Sequence, residues 1–209
     1  MGKVLAPSDT PIRSYRLATE QDLPEIARIH IIAYSRNHFT TRLPEHVLQR
    51  YYRYFLQGGT QISLALSISC AEAVQKEVID GFAVYGVGIP DKIALFKKEC
   101  LRHILIASLK NPLAASWKAL KAALNSVAKK PPFPPANFLL LSIAVAPQSR
   151  GVGKHLLASM LEVAGQNFHN SAGLYVNADN VRAINAYFSA GFDLKYFSGG
   201  QYYMERSLG

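Results

Sequence analysis

One stretch constrains this chain more than any other: residues 139–157, LLLSIAVAPQSRGVGKHLL. It begins as an unbroken apolar run of strand length and ends as a helix, with Leu156 and Leu157 on the helix's core face. Between the two lies Gln148-Ser149-Arg150-Gly151-Val152-Gly153, a turn with two glycines, one arginine and no acid. Glycine at a strand-to-helix turn lets the backbone approach a ligand closely, because no Cβ intervenes. The first N–H groups of the helix that follows lack internal partners, and the helix dipole is positive there. Such a turn is a ready anion site, best suited to phosphate or pyrophosphate. Two common phosphate motifs are excluded by named residues. A Walker A loop would need glycine in place of Gln148 and serine or threonine in place of His155; the dinucleotide fingerprint would need glycine in place of Leu156.

The rest of the chain reads as strands and helices in turn, an α/β pattern. Residues 12–17 suit a first strand. Thr19 ahead of Glu20, Gln21 and Asp22, with Pro24 in the first turn, marks a helix start. Leu23, Ile26, Ala27, Ile29, His30 and Ala33 give that helix an apolar face as far as Tyr34. A polar loop over 35–41 leads to a tyrosine-dense helix over 44–56, stopped at Gly58-Gly59. Residues 62–70 and 78–85 alternate as the two strands of a hairpin. Residues 91–130 read as two helical segments broken at Asn111-Pro112, and Pro131-Pro132-Phe133-Pro134-Pro135 ends them as a stiff linker. After the central stretch come a helix over 151–168, a strand over 173–177 and a short helix over 180–190 capped by Gly191. Strands over 192–197 and 202–206 close the chain around Ser198-Gly199-Gly200. Residues 1–11 are expected to be a flexible leader. Residues 12–209 are expected to be one domain, with 91–135 as a basic helical insertion.

Charge is concentrated in that insertion. The formal net charge is +9, and residues 91–130 hold nine Lys/Arg against two acids, Asp91 and Glu99. An anionic partner is implied: a phosphorylated cofactor, nucleic acid or an anionic membrane surface. Nucleic acid is not expected, because the lysines have no interleaved aromatic platform. Cys70 and Cys100 have neither metal-ligand spacing nor a disulfide framework. No secretory signal is recognisable, and no apolar run approaches the roughly 18 residues of a membrane span. A cytoplasmic location is expected.

The motif evidence is sharper. Val145-Ala146-Pro147 and the turn that follows fit the pattern Q/R-x-x-G-x-G/A. Asn177, Asn180, Ala183, Tyr187 and Gly191-Phe192 fit N-x-x-N-x-x-A-x-x-x-Y-x-x-x-G-F. With both blocks in order, the chain resembles the Gcn5-related N-acetyltransferase (GNAT) superfamily. Tyr15-Arg16-Leu17-Ala18-Thr19 with Asp22 and Ile26 is similar to that family's opening strand and helix, whereas the insertion lies outside its common pattern.

The resemblance implies a mixed, mostly antiparallel sheet of about seven strands, splayed at the centre and flanked by helices, with the helical insertion before the central strand. It implies acetyl-CoA as co-substrate and no metal. The pyrophosphate would be gripped at Gln148, Arg150, Gly151, Val152, Gly153 and Lys154. The pantetheine arm would pair with the backbone of Ile143, Ala144 and Val145, beside Asn180 and Ala183. Tyr187 stands where the family places a general acid for the departing thiolate, in a direct attack by a neutral amine. In some relatives a carboxylate on the central strand deprotonates that amine. Residues 140–145 here contain no acid, which leaves Ser142 with a relay water, His38 or His103 as candidates.

Tyr34, Asn37, His38 and Tyr85 fall on the acceptor side by the same resemblance. The acceptor is expected to be a small primary amine. Helical insertions beside the acceptor cleft resemble those of bacterial surface-polysaccharide acetyltransferases, which favours an amino sugar, anionic or nucleotide-linked forms included. Peripheral membrane contact and a homodimer are compatible with the sequence. The alternative is a non-catalytic module that binds CoA or lies on a membrane surface. Each sharp reading has a plain counterpart: a tight turn at 148–153, a packing tyrosine at Tyr187, a structural His103 and a solvated helical cap over 91–135.

Overall fold

The computed structural model describes residues 13–34, 39–71, 74–102, 134–149, 151–167 and 169–209. The expected leader, Asn37, His38, His103, Arg150 and residues 103–133 of the insertion lie outside them. Seven strands form one sheet: β1 (Arg13–Leu17), β2 (Thr60–Ala71), β3 (Val74–Gly86), β4 (Phe138–Val145), β5 (Ser171–Asn177), β6 (Asp193–Ser198) and β7 (Gln201–Ser207). Their order is β1-β2-β3-β4-β5-β7-β6. Every neighbouring pair is antiparallel except β4 and β5, which are parallel. The mixed, mostly antiparallel sheet is the one expected.

Helices cover both faces. On one, α1 (Leu23–Ala33) and α2 (Glu45–Arg53) pack Ile26, Ile29, Leu48 and Tyr52 against Leu64, Phe82 and Val84 of the sheet. On the other, α4 (Val152–Gln166) lays Val152, Leu156, Leu157 and Met160 on Ala83, Leu140 and Leu174, and α5 (Val181–Ser189) adds Ala183, Ile184 and Tyr187. The faces of α1 and α4 are those that the sequence spacing marks. Among the described residues, no helix is long and apolar enough to cross a membrane.

The start of α1 is fixed electrostatically. Asp22 accepts from both terminal nitrogens of Arg16 at 2.8 Å and from the Thr19 backbone N–H at 2.7 Å. The Arg16 guanidinium, with the Thr19 donors, holds the Asp22 carboxyl down at about 2 despite burial. The tyrosine-dense helix ends at Arg53, three residues before the expected stop. Lys92, from the third helix α3 (Ile89–Glu99), takes over the chain there: its Nζ donates to the Tyr54 carbonyl at 2.9 Å, to Thr60 Oγ1 at 2.8 Å and to the Gln57 carbonyl. A cation on the last carbonyls of a helix satisfies orphan acceptors and opposes the dipole. Phe96 and Cys100 close a small third core with Leu43 and Val47, and Glu99 accepts from Arg50 at 2.8 Å. The described beginning of the insertion is therefore docked onto α2 rather than solvated, and Lys92 is engaged in that docking.

Two register shifts decide which side chains reach the centre of the sheet. In β3, Ala65 faces Gly81 and Leu66 faces Ile79, so Asp80 is an extra residue. In β4, Val84 faces Ser142 and Tyr85 faces Leu140, so Leu141 is extra. A bulge breaks strict alternation. Before it, Leu139 faces the α1–α2 layer; after it, Ala144 does. Leu141 and Ser142 consequently point the same way, toward α1, and Ile143 and Val145 turn to the α4 side.

Candidate active site

The centre of the sheet opens. β4 and β5 pair only at Phe138–Ala172, Leu139–Gly173 and Leu140–Leu174. From Ser142 to Val145, β4 keeps its antiparallel partner β3 but, among the described residues, has no strand partner on the β5 side. Backbone groups that face away from β3 in this stretch lack a strand to bond, and such groups require another partner. A cleft of about 370 Å³ occupies the gap. It joins both faces of the sheet: Asn180, Ala183 and Tyr187 line it from α5, and His30, Tyr34 and Tyr52 from α1 and α2. This volume lies within the ~300–1,000 Å³ of small-molecule sites.

Beside the gap, the β4–α4 turn enters its helix at Gly151, whose φ of 82° is left-handed. Only glycine adopts that conformation at little cost. The first turn of α4 contains no acid, so no carboxylate of its own competes for its free N–H groups. The turn is anchored from below. Asp80, the bulged residue of β3, accepts from Ser149 Oγ at 2.5 Å, and its carbonyl accepts from the Ala146 N–H at 2.7 Å. Gln148 and Lys154 are exposed at the surface of the turn, and Val152 is buried beneath it.

Across the gap, Asn180 caps α5, its Oδ1 accepting from the Ala183 N–H at 3.2 Å. An asparagine before the first turn is favoured for that role. Tyr187, two turns on, is half-buried on the cleft wall and meets the Phe192 ring edge-on at 5.9 Å. Burial, with Tyr34 adding to it, pushes the Tyr187 phenol well up from its ordinary value. It is therefore a neutral O–H donor at physiological pH.

The α1 side of the cleft is a hydroxyl cluster. Tyr34 Oη and Ser142 Oγ are 2.7 Å apart. His30 stacks on Tyr34 with centroids 4.3 Å apart, and its ring nitrogens bond Tyr52 Oη and Thr40 Oγ1, each at 2.6 Å. Burial pushes the phenols of Tyr34, Tyr51 and Tyr52 upward. The described lining contains one imidazole and no Asp, Glu, Lys or Arg.

The geometry brings together Ser142, Ile143, Asn180, Ala183, Tyr187 and Tyr34 on one cleft. Tyr85 is a correction to the sequence expectation. It is fully buried on the α4 side, its hydroxyl held by Ser63 Oγ at 2.6 Å and Gln61 Nε2 at 3.2 Å, and it does not line the cleft. The acceptor-side place that the family resemblance implied for it is not where its side chain lies, which is turned inward on the α4 side. His30, Thr40, Tyr51 and Tyr52 also line the cleft, and the sequence reasoning missed them as site residues. The available signal was a histidine and two tyrosines at core-facing positions of amphipathic helices, where an apolar side chain would be the default.

No family model matches the sequence, and no curated protein matches it. Solved structures do match in three dimensions. A Desulfovibrio desulfuricans protein assigned to the GNAT acetyltransferase family superposes with a TM-score of 0.54 at 15% identity, covering 95% of this chain and 100% of its own. This is the GNAT acetyltransferase fold. The PaiA N-acetyltransferase of Thermoplasma acidophilum, in complex with coenzyme A, gives 0.53 at 16% identity over 94% of this chain and 99% of that one. The yncA protein of Salmonella typhimurium, assigned as an acetyltransferase and holding its cofactor acetyl-CoA, gives 0.55 at 15% identity over 94% of each chain. At these identities the likeness is one of fold. The GNAT fold fits the mixed sheet, the parting of β4 from β5 and the glycine turn into α4.

Proposed function

We propose that the chain is an acyl-CoA-dependent N-acyltransferase that moves an acetyl group from acetyl-CoA to a primary amine. The observation that carries the reading is the parting of β4 and β5 beyond Leu140, next to a glycine-bearing helix start that carries no acid. Unpaired backbone on β4 suits the amides of a pantetheine arm, and the α4 N-terminus suits a pyrophosphate. The residues present thus fit CoA, and two of the structurally similar proteins hold CoA or acetyl-CoA.

When bound, acetyl-CoA supplies an activated thioester carbonyl whose sulfur can leave as a thiolate. The backbone of Ile143, Ala144 and Val145 would hold the arm, and those N–H groups of the stretch that face away from β3 would meet the negative charge that develops on the acyl oxygen. Gln148, Arg150, Gly151, Val152, Gly153 and Lys154 would form the phosphate grip. Asn180 and Ala183 would line the arm, and Tyr187 would offer its O–H to the sulfur. Ser142, at the bulge, faces the acceptor side with Tyr34. The acceptor is a small primary amine; the place of the helical insertion favours an amino sugar by analogy, and its positive charge an anionic, nucleotide-linked one.

Release of free CoA thiol from acetyl-CoA over a panel of amino sugars, alkylamines, arylamines and basic peptides tests the reading. Turnover with one class above the hydrolytic background is expected. A second reading, a module that binds CoA without turnover, is favoured by one observation: no carboxylate lines the described cleft. Acetyl-CoA binding with no turnover on any amine would support it over the first.

A further inference from the structure

We propose that His30 is the proton acceptor for the attacking amine, reached through Tyr52. The inference rests on the N-acyltransferase reading and supplies the base that β4 lacks. Tyr52 lines the cleft from α2, opposite Ser142 at the bulge, which bonds Tyr34 Oη at 2.7 Å. Tyr52 Oη in turn lies 2.6 Å from His30 Nδ1, and His30 Nε2 lies 2.6 Å from Thr40 Oγ1. An unbroken chain of hydrogen bonds therefore runs from the cleft wall to a buried imidazole and on to Thr40, which is half-exposed.

The proton balance is direct. With the ring proton on Nε2 and donated to Thr40, Nδ1 accepts from Tyr52. As the amine loses a proton to Tyr52 Oη, Tyr52 passes its own to Nδ1. The amine becomes neutral, His30 becomes imidazolium, and the Tyr52 hydroxyl is restored. Once the product has left, Nδ1 returns the surplus proton through Tyr52 to the open cleft, which restores the resting tautomer.

Chemistry singles out His30 for this work. Among the described residues, the groups around it include Tyr34 on its own helix, Tyr51 and Tyr52 on α2, Thr40 in the turn before α2 and Ser142 on β4. Burial keeps the three phenols protonated, so they transmit a proton but do not retain the charge. No Asp, Glu, Lys or Arg lines the described cleft. Imidazole is the side chain that ordinarily titrates near neutral pH. Stacking on Tyr34, at 25° between planes, fixes the ring orientation that the relay needs.

Two measurements test the proposal. The first needs no acceptor: nitrogen-15 NMR of histidine-labelled protein at pH 7.5, with the His30 signal assigned by its loss in His30→Gln. The neutral ring with its proton on Nε2 is expected, and Tyr52→Phe should shift Nδ1. An imidazolium, or a neutral ring with its proton on Nδ1, overturns the proposal. The second compares thiol release for two probe amines, benzylamine and 4-aminobenzoate. The first is mostly ammonium at neutral pH and the second already neutral. His30→Gln should lower kcat about 10²-fold with benzylamine, with recovery as pH rises, and only a few-fold with 4-aminobenzoate. Acetyl-CoA affinity by calorimetry should be unchanged. Equal losses with both amines would reduce His30 to a packing role. Loss of acetyl-CoA binding in the unsubstituted protein would instead strike the N-acyltransferase reading itself.

Discussion

Ser149→Ala is expected to cost more than its small change in volume suggests. Ser149 and Asp80 are 4% and 5% exposed, and the serine hydroxyl donates to Asp80 Oδ1 at 2.5 Å. Among the described residues Asp80 Oδ2 has no hydrogen-bond partner, so this hydroxyl is the principal satisfaction of a buried carboxyl group. Removing it strands both oxygens, and a stranded buried acceptor costs about 1–3 kcal/mol. The cavity left by one oxygen adds little. Asp80→Asn keeps an acceptor for Ser149 and should cost less. Replacing both partners by alanine should cost little more than Asp80→Ala alone, giving a coupling of about 1–2 kcal/mol. Urea unfolding of the four proteins measures this, with stability changes read from shifted midpoints at constant slope. A Ser149→Ala midpoint indistinguishable from that of the unsubstituted protein, or a purely additive cycle, would refute the claim that this pair anchors the turn into α4.

Three further outcomes are expected. Tyr187→Phe keeps the ring against Phe192 but removes the donor, and should lower kcat tenfold or more with acetyl-CoA affinity nearly unchanged; an unchanged kcat would assign Tyr187 to packing. Gly151→Ala places a Cβ at φ 82°, which costs about 1–2 kcal/mol and should weaken acetyl-CoA binding measurably by calorimetry. Asp22→Asn should destabilise the protein by about 1–2 kcal/mol at pH 7, because Arg16 holds that carboxyl at about 2 from an ordinary 3.8 and is itself 38% exposed. With the folded value depressed, the contribution is complete above the unfolded pKa and fades as pH falls toward 2. Stability curves of the two proteins should converge there, and parallel curves from pH 7 to pH 2 would contradict the assignment.

Sequence periodicity locates the strands and helices because burial on a two-sided sheet imposes it. Leu139 to Val145 reads correctly as a strand, yet a run that is apolar but for Ser142 carries no alternation, so nothing in it marks Leu141 as the bulged residue. The bulge decides that Ser142 faces α1, and that orientation belongs to β3–β4 pairing rather than to either strand alone. Gly151 is legible for the opposite reason: a local backbone demand names its residue type. His30 reads as part of an apolar face, which is where it sits. Its partner Tyr52 lies on α2 and becomes a neighbour only when α1 and α2 pack together on the sheet. Tyr85, placed on the acceptor side by resemblance alone, lies in the α4-side core, because a strand position fixes a face only once the register is known.

The central claim is that the gap between β4 and β5, with the α4 turn beside it, is an acyl-CoA site. Isothermal calorimetry with acetyl-CoA tests it most directly. Saturable binding of one acetyl-CoA per chain, weakened by Gly151→Ala, is the expected result; absence of binding up to millimolar acetyl-CoA would contradict it.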